Sequence, residues 1–302
     1  MRWVLVTMLV CGLAATAAAD PKSDALTVLD RAIAKQKQPK ELEQALAELD
    51  ALLVKNPKDP DAHYARGWVL SRSGKNEEAV AAYDRAFELD ARLADAPYNA
   101  GVVLGRIGNM KEAIVRFERA LKADPKHVDA AYNAGQSYYD TGDYAKAAAK
   151  WTIAMKLAPE DFQTAKKLVQ AYVALGKPAE IKKARDRVFT MWKSGKDPEL
   201  QKLKSYVYDQ FAVGKYHVYV YEAFDTSGDL AYVYQFKVTQ NDKTLGSVNV
   251  ETSAVIREQG TPYIVGIDKD GEHVTLAQHA WKKLPDYKSI KALASRLVET
   301  RF

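Results

Sequence analysis

Side chains able to do chemistry are scattered along this 302-residue chain rather than gathered into a reactive set. The five histidines are His63, His127, His217, His273 and His279, and no two share a helix at the spacing that would aim both at one metal ion. His273 and His279 could meet across a sheet with Asp268 or Asp270, but exposed hairpin residues are the simpler reading. Asp268-Lys269-Asp270-Gly271 has the outline of a calcium loop; it lacks the third oxygen ligand and the terminal glutamate, so it reads as a hairpin turn. No Gly-rich phosphate loop, Ser-centred nucleophile elbow or pair of catalytic carboxylates occurs. Ten aromatics lie between Tyr206 and Phe236, enough for a stacking face for sugars or bases, although ordinary sheet packing accounts for them better. The expectation is a protein that binds rather than catalyses, with no cofactor and no metal.

The elements that would position a binding surface are repeats. From residue 60 to 161 one 34-residue pattern runs three times without insertion or deletion. Gly67, Gly101 and Gly135 are 34 apart, as are Gly74, Gly108, Gly142 and Gly176, and the series Ala79, Ala113, Ala147 and Ala86, Ala120, Ala154. Such a period specifies a helical solenoid. Each repeat reads as two antiparallel helices, with the Gly74 series ending the first helix and Asn109 and Asp143 capping the second; Glu112 completes a capping-box pattern with Asn109. The Gly67 and Ala79 series let the two backbones approach closely, while Tyr83, Phe117 and Trp151 fill the space beside them. Pro125 and Pro159 mark the ends of second helices.

The stretches HYARGWVL…GKNEEAVAAYDRAFELD, PYNAGVVLGRIGNMKEAIVRFERALKADP and AYNAGQSYYDTGDYAKAAAKWTIAMKLAP resemble the tetratricopeptide repeat family. That resemblance implies a right-handed superhelix of helix pairs whose first helices line a concave groove. It places Tyr64, Trp68, Arg72, Tyr98, Asn99, Arg106, Tyr132, Asn133, Gln136 and Tyr139 in the groove as the partner-binding residues, facing a protein or peptide. Tyrosines offer wide contact area at little entropic cost, and asparagine amides can pair with an extended backbone. Family members that grip a partner's C-terminal carboxylates use lysines, arginine and asparagines in these slots. Here Tyr64, Trp68, Asp129 and Asn133 stand there and only Asn99 matches, so a clamp of that kind is not implied.

The phase extends both ways. Residues 26–59 form a degenerate first repeat with helices over about Ser23–Lys37 and Pro39–Lys55, and residues 162–195 form a last one in which Val169 replaces the close-approach glycine. The reading is five helix pairs, 26–59, 60–93, 94–127, 128–161 and 162–195, within a helical domain spanning 20–195. Before it, residues 1–19 carry Arg2, an apolar run from Trp3 to Ala15 and Ala17-Ala18-Ala19, the pattern of a secretory signal peptide. Cleavage near Ala19 would give a periplasmic or secreted chain with no thiol, since Cys11 is the single cysteine. Lipidation of Cys11 is disfavoured by Val10, which stands where that signal calls for a small residue. No later segment approaches the length of a membrane span.

Between Lys182 and Lys204 eight basic residues face three acidic ones, a solvated helix face or a contact for an anionic envelope surface. A linker over 196–210, with a short helix at Pro198–Gln210, leads into a domain at 211–302 where the period changes to alternation. Five strands are expected, Tyr216–Phe224, Leu230–Thr239, Ser247–Glu258, Tyr263–Asp268 and His273–Gln278, turning at Ser227-Gly228-Asp229, Asn241-Asp242, Gln259-Gly260 and Asp270-Gly271. A terminal helix, Asp286–Glu299, would present Ile290, Leu293 and Leu297 to the sheet. The fold class is thus α+β, a helical-repeat solenoid followed by a small antiparallel sheet. Export and a formal net charge of +5 argue against nucleic acid as the partner. The function expected is an exported, non-enzymatic adaptor; the rivals are an enzyme or carbohydrate-binding protein working through its sheet domain, and a structural spacer.

Overall fold

Small residues at fixed spacing decide how the helices pair. In the computed structural model, which describes residues 23–224, 232–251, 264–277 and 286–302, the Cβ of an alanine at Gly135 would lie 2.6 Å from the Trp151 ring. The contact recurs one repeat earlier, with Gly101 against Phe117, and one before that, with Gly67 against Tyr83. Bulk on one helix therefore fills the absence of bulk on the other. The signal peptide, Cys11, His279 and the turns at 227–229 and 259–260 lie outside the described residues.

The chain divides into two compact units, 1–157 and 158–302. The first holds four helix pairs: α1 (Asp24–Ala34) with α2 (Pro39–Lys55), α3 (Pro60–Arg72) with α4 (Asn76–Leu89), α5 (Asp95–Arg106) with α6 (Met110–Ala123), and α7 (Val128–Asp140) with α8 (Tyr144–Leu157). Gly74, Gly108 and Gly142 follow the first helices with φ near +80°, the left-handed conformation that closes a helix. Asn109 accepts the Glu112 N–H as the cap of α6, but the Glu112 carboxylate turns to Arg116 instead of returning to the cap, so the capping box is half made.

Two ladders stitch the pairs together. On the first helices, Asn99 Nδ2 donates to Tyr64 Oη (2.9 Å) and Asn133 Nδ2 to Tyr98 Oη (3.4 Å). On the second helices, longer side chains make the link: Arg116 pairs with Asp84 (2.9 Å) and, one repeat on, Lys150 pairs with Glu118 (2.7 Å). Both ladders repeat because their members sit at equivalent positions of the 34-residue pattern.

The second unit contains α9 (Phe162–Ala174), α10 (Pro178–Lys193), the one-turn α11 (Pro198–Gln201), a sheet and α12 (Tyr287–Arg301). The fifth helix pair thus groups with the sheet by contact, α9 packing on the first strand. Among the described residues the sheet has six strands, not five: β1 (Ser205–Val213), β2 (Tyr216–Ala223), β3 (Tyr232–Gln240), β4 (Lys243–Glu251), β5 (Ile264–Lys269) and β6 (Glu272–Ala277), an antiparallel meander in sequence order. The strand additional to the five expected is β1, whose first residues fall where the linker helix Pro198–Gln210 is expected; that helix ends at Gln201. The register of β1 on β2 shifts between Val207 and Asp209, and this bulge breaks the alternation by which a strand is recognised. Asn241-Asp242 and Asp270-Gly271 turn with positive φ at both residues, as two-residue hairpins require.

One sheet face is largely apolar and covered. Val218, Val220, Phe236, Val238, Val248 and Ile267 are buried on it, and α12 contributes Ile290, Ala294 and Val298. Leu293 and Leu297, expected to point inward, are only half-buried. Among the described residues no helix is long and apolar enough to cross a membrane.

Candidate functional site

The first helices of the repeats, α3, α5 and α7, carry the candidate surface. Tyr64, Tyr98 and Tyr132 stand one repeat apart and are each half-buried. Tyr64 packs edge-on against Tyr83, with ring centroids 5.6 Å apart, and Tyr98 lies on Phe117 (6.0 Å) and on the imidazole of His127 (4.6 Å). Burial, and after it the carboxylate of Asp95, pushes the Tyr64 phenol far above its ordinary range; burial, then Asp129 and Asp95, does the same to Tyr98. Both hydroxyls therefore stay neutral at any physiological pH. Each accepts an asparagine amide proton and still carries its own proton to donate.

Eight of the ten residues expected in the groove divide into three kinds. Tyr64, Tyr98, Asn99 and Asn133 form the hydrogen-bonded ladder, so the asparagine amides are already engaged between helices; Asn99 is only 9% exposed. Trp68 and Tyr139 are core: Trp68 is buried beneath the Arg72 guanidinium, 5.1 Å from its ring, and Tyr139 packs on Tyr144 and Trp151. The polar heads at the helix ends are Arg72, exposed, and Arg106, which donates to Ser71 O (3.2 Å) and Asn76 Oδ1 (2.6 Å). Gln136 donates to Asp140 (2.8 Å), and the Tyr132 carbonyl accepts from Trp151 Nε1 (3.0 Å).

Sequence reasoning passed over a row beside the tyrosines. Asp61, Asp95 and Asp129 recur at the same 34-residue spacing in the first turns of α3, α5 and α7, where a negative charge suits the helix dipole. The spacing that picked out the tyrosines would have found them.

The second unit hides a charged cluster under its helices. Glu222, 2% exposed, faces inward on β2 and accepts from both Arg185 of α10 and Tyr206 of β1, with Tyr234 Oη at 3.4 Å. Asp209, equally buried, accepts from Tyr287 Oη (2.7 Å) and Lys291 Nζ (2.8 Å) of α12. Tyr208 joins the two, with ring contacts to Tyr234 (5.5 Å) and Tyr287 (4.8 Å). Each carboxylate has its complement of donors, so the cluster fastens α10 and α12 to the sheet. A readable sign existed: in the alternation of Tyr216, Val218 and Val220, Glu222 takes the next inward position.

The aromatics between Tyr206 and Phe236 are largely used in this packing, with Phe224 and Phe236 fully buried and Trp192 stacked on Phe224 at 5.0 Å. Much of the basic segment is also engaged within the unit: Arg185 with Glu222, Arg187 with Pro159 O, Lys182 with Asp186, Lys196 with Glu160 and Lys202 with Glu199. Among the described residues no three His, Cys, Asp or Glu side chains are grouped to hold a metal ion. The Asp268 carboxylate accepts from Ser247 Oγ (3.2 Å) and from Asn249.

Residues 29–97 and 98–162 each match the family model for the tetratricopeptide repeat, and this stretch is a tetratricopeptide repeat array. No curated protein matches the chain. Solved structures similar to it include MamA (20% identical, TM-score 0.48, covering 53% of this chain and 94% of that one) and MamA residues 41 to the end from Desulfovibrio magneticus RS-1 (23% identical, TM-score 0.46, covering 58% and 99%). Another is YrrB, described as a TPR protein with an unusual peptide-binding site (21% identical, TM-score 0.47, covering 60% and 93%).

Proposed function

We propose that this protein is an exported, non-enzymatic adaptor of the cell envelope whose repeat array binds a protein or peptide along α3, α5 and α7. The observation that carries the reading is the tyrosine row itself. Three half-buried phenols at a constant repeat interval, the hydroxyls of Tyr64 and Tyr98 held neutral, lie along the helices between a row of aspartates and the heads of Arg72 and Arg106 and offer contact area and directional hydrogen bonding together. The leader-like start of the sequence supports export, and the remaining charges of Lys182–Lys204 would give a second contact with an anionic surface.

The groove is tested in the full-length protein by the pair Arg72→Glu and Gln136→Arg, whose side chains stand at the surface rather than in the ladder. Affinity capture from extracts of the source organism should recover a partner with the wild type and lose it with the double variant, at unchanged helical circular dichroism. The expected loss is about 2 kcal/mol or more, about 30-fold or greater in affinity. Capture that survives the double variant would remove the groove from consideration and direct attention to the sheet unit.

A further inference from the structure

Three first helices, α3, α7 and α9, have side-chain caps at equivalent positions, whereas α5 follows Ala94 and has none, and the cap of α7 differs chemically from the other two. Asp59 accepts the Ala62 N–H of α3 (3.1 Å) and Asp161 accepts the Thr164 N–H of α9 (3.0 Å). At α7 the same place is held by His127, whose Nδ1 accepts the Ala130 N–H at 3.3 Å. An imidazole can do this only while Nδ1 is unprotonated, so the ring proton sits on Nε2. That nitrogen is buried and lies 3.2 Å from Asp95 Oδ1, without the alignment of a hydrogen bond.

We propose that His127 is a pH-responsive cap, which on acidification exchanges its bond to α7 for an ion pair with Asp95 and so disturbs the Tyr98 ring packed against it. The second proton has one place to go, Nδ1, and it must displace the Ala130 N–H. The resulting cation would stand at the positive end of the α7 dipole, which repels it. Asp95 attracts it from α5 and Asp129 from the first turn of α7, while Lys126 in the preceding turn opposes it; the carboxylate of Asp124 is engaged by the Lys126 N–H. Asp95 is two-thirds exposed, so its attraction is screened and cannot restore what the cap supplied. Tyr98 faces the ring from α5 and stays neutral throughout the range. Asp59 and Asp161, already charged acceptors, keep their caps under the same change. Any effect on partner capture rests on the groove reading, whereas the exchange of contacts does not.

The test compares the wild type with His127→Asn, a cap that does not titrate, and His127→Ala, which has none. At pH 7.5 the wild type should melt close to His127→Asn and about 2–4 °C above His127→Ala. At pH 5.0 it should fall to the level of His127→Ala, and the Ala130 amide resonance should move with the imidazole titration. A wild type that keeps the same distance from His127→Asn at both pH values, or rises above it at pH 5.0, overturns the proposal. Should His127→Ala fail to fold, an Ala130 amide that ignores the imidazole titration overturns it alone.

Discussion

Glu222 has a burden out of proportion to its size, because one carboxylate holds a guanidinium and two phenols beneath helices. Glu222→Gln keeps the shape and removes the charge. Arg185 is about one-third exposed, so part of its lost partner is replaced by water, and the expected cost is about 2 kcal/mol rather than the full penalty of breaking a buried pair. A urea melt of the second unit should show it, and an unchanged midpoint would mean that the cluster is incidental to docking α10. The tyrosines give a pH signature. Burial, followed by the nearby carboxylates, raises Tyr206, Tyr208, Tyr234 and Tyr287 above the ordinary phenol value of 10. A group raised in the folded state contributes stability that is complete below its unfolded value and is lost as pH rises beyond it. Stability should therefore be flat in these groups below about pH 10 and fall steeply above it. Absorbance at 295 nm should show these four phenols ionising only with unfolding. Ionisation of all seventeen phenols without unfolding would contradict the burial assigned to these four.

A helix pair is held by what its small residues leave out. Ala113 is fully buried on α6 while Lys111, two residues before it, is exposed. Ala113→Leu should destabilise the array by about 1–3 kcal/mol and Lys111→Leu should not. Equal melting temperatures would show that the assigned contact face is wrong. This contrast was legible in the sequence because the 34-residue spacing of Ala79, Ala113 and Ala147 encodes contact directly. β1 was not legible, since its bulge cancels the period-2 signal. The groove was legible in part: spacing located Tyr64, Tyr98 and Tyr132, but only coordinates reveal that Asn99 and Asn133 are turned sideways into bonds with the tyrosines one repeat earlier. A first-helix position does not by itself separate a side chain facing a ligand from one facing the next repeat, as Trp68 and Tyr139 illustrate.

At the scale of the molecule, the boundary between units falls within the repeats rather than at the change of period. A chain cut after Lys204 would leave Arg185 without Glu222 and expose the side chains of Phe189 and Trp192 that pack on Phe224. Such a truncation should bind a hydrophobic dye and yield to protease in α9 and α10, whereas a cut after Leu157 should leave a protected, cooperatively melting array. Equal protection of both fragments would argue that α9 and α10 do not need the sheet. The ladder of Asn99 on Tyr64 and Asn133 on Tyr98 sets a rule of growth. Each rung joins residues 35 positions apart, one repeat plus one residue, so the array can lengthen or shorten only in whole blocks. A duplicated copy of residues 94–127 would arrive with both halves of the next rung, a tyrosine to receive and an asparagine to give. A single residue gained within a repeat would break the spacing of the rung that spans it. The reach of the first-helix face is thus an inherited whole number, adjustable by duplication and closed to gradual drift.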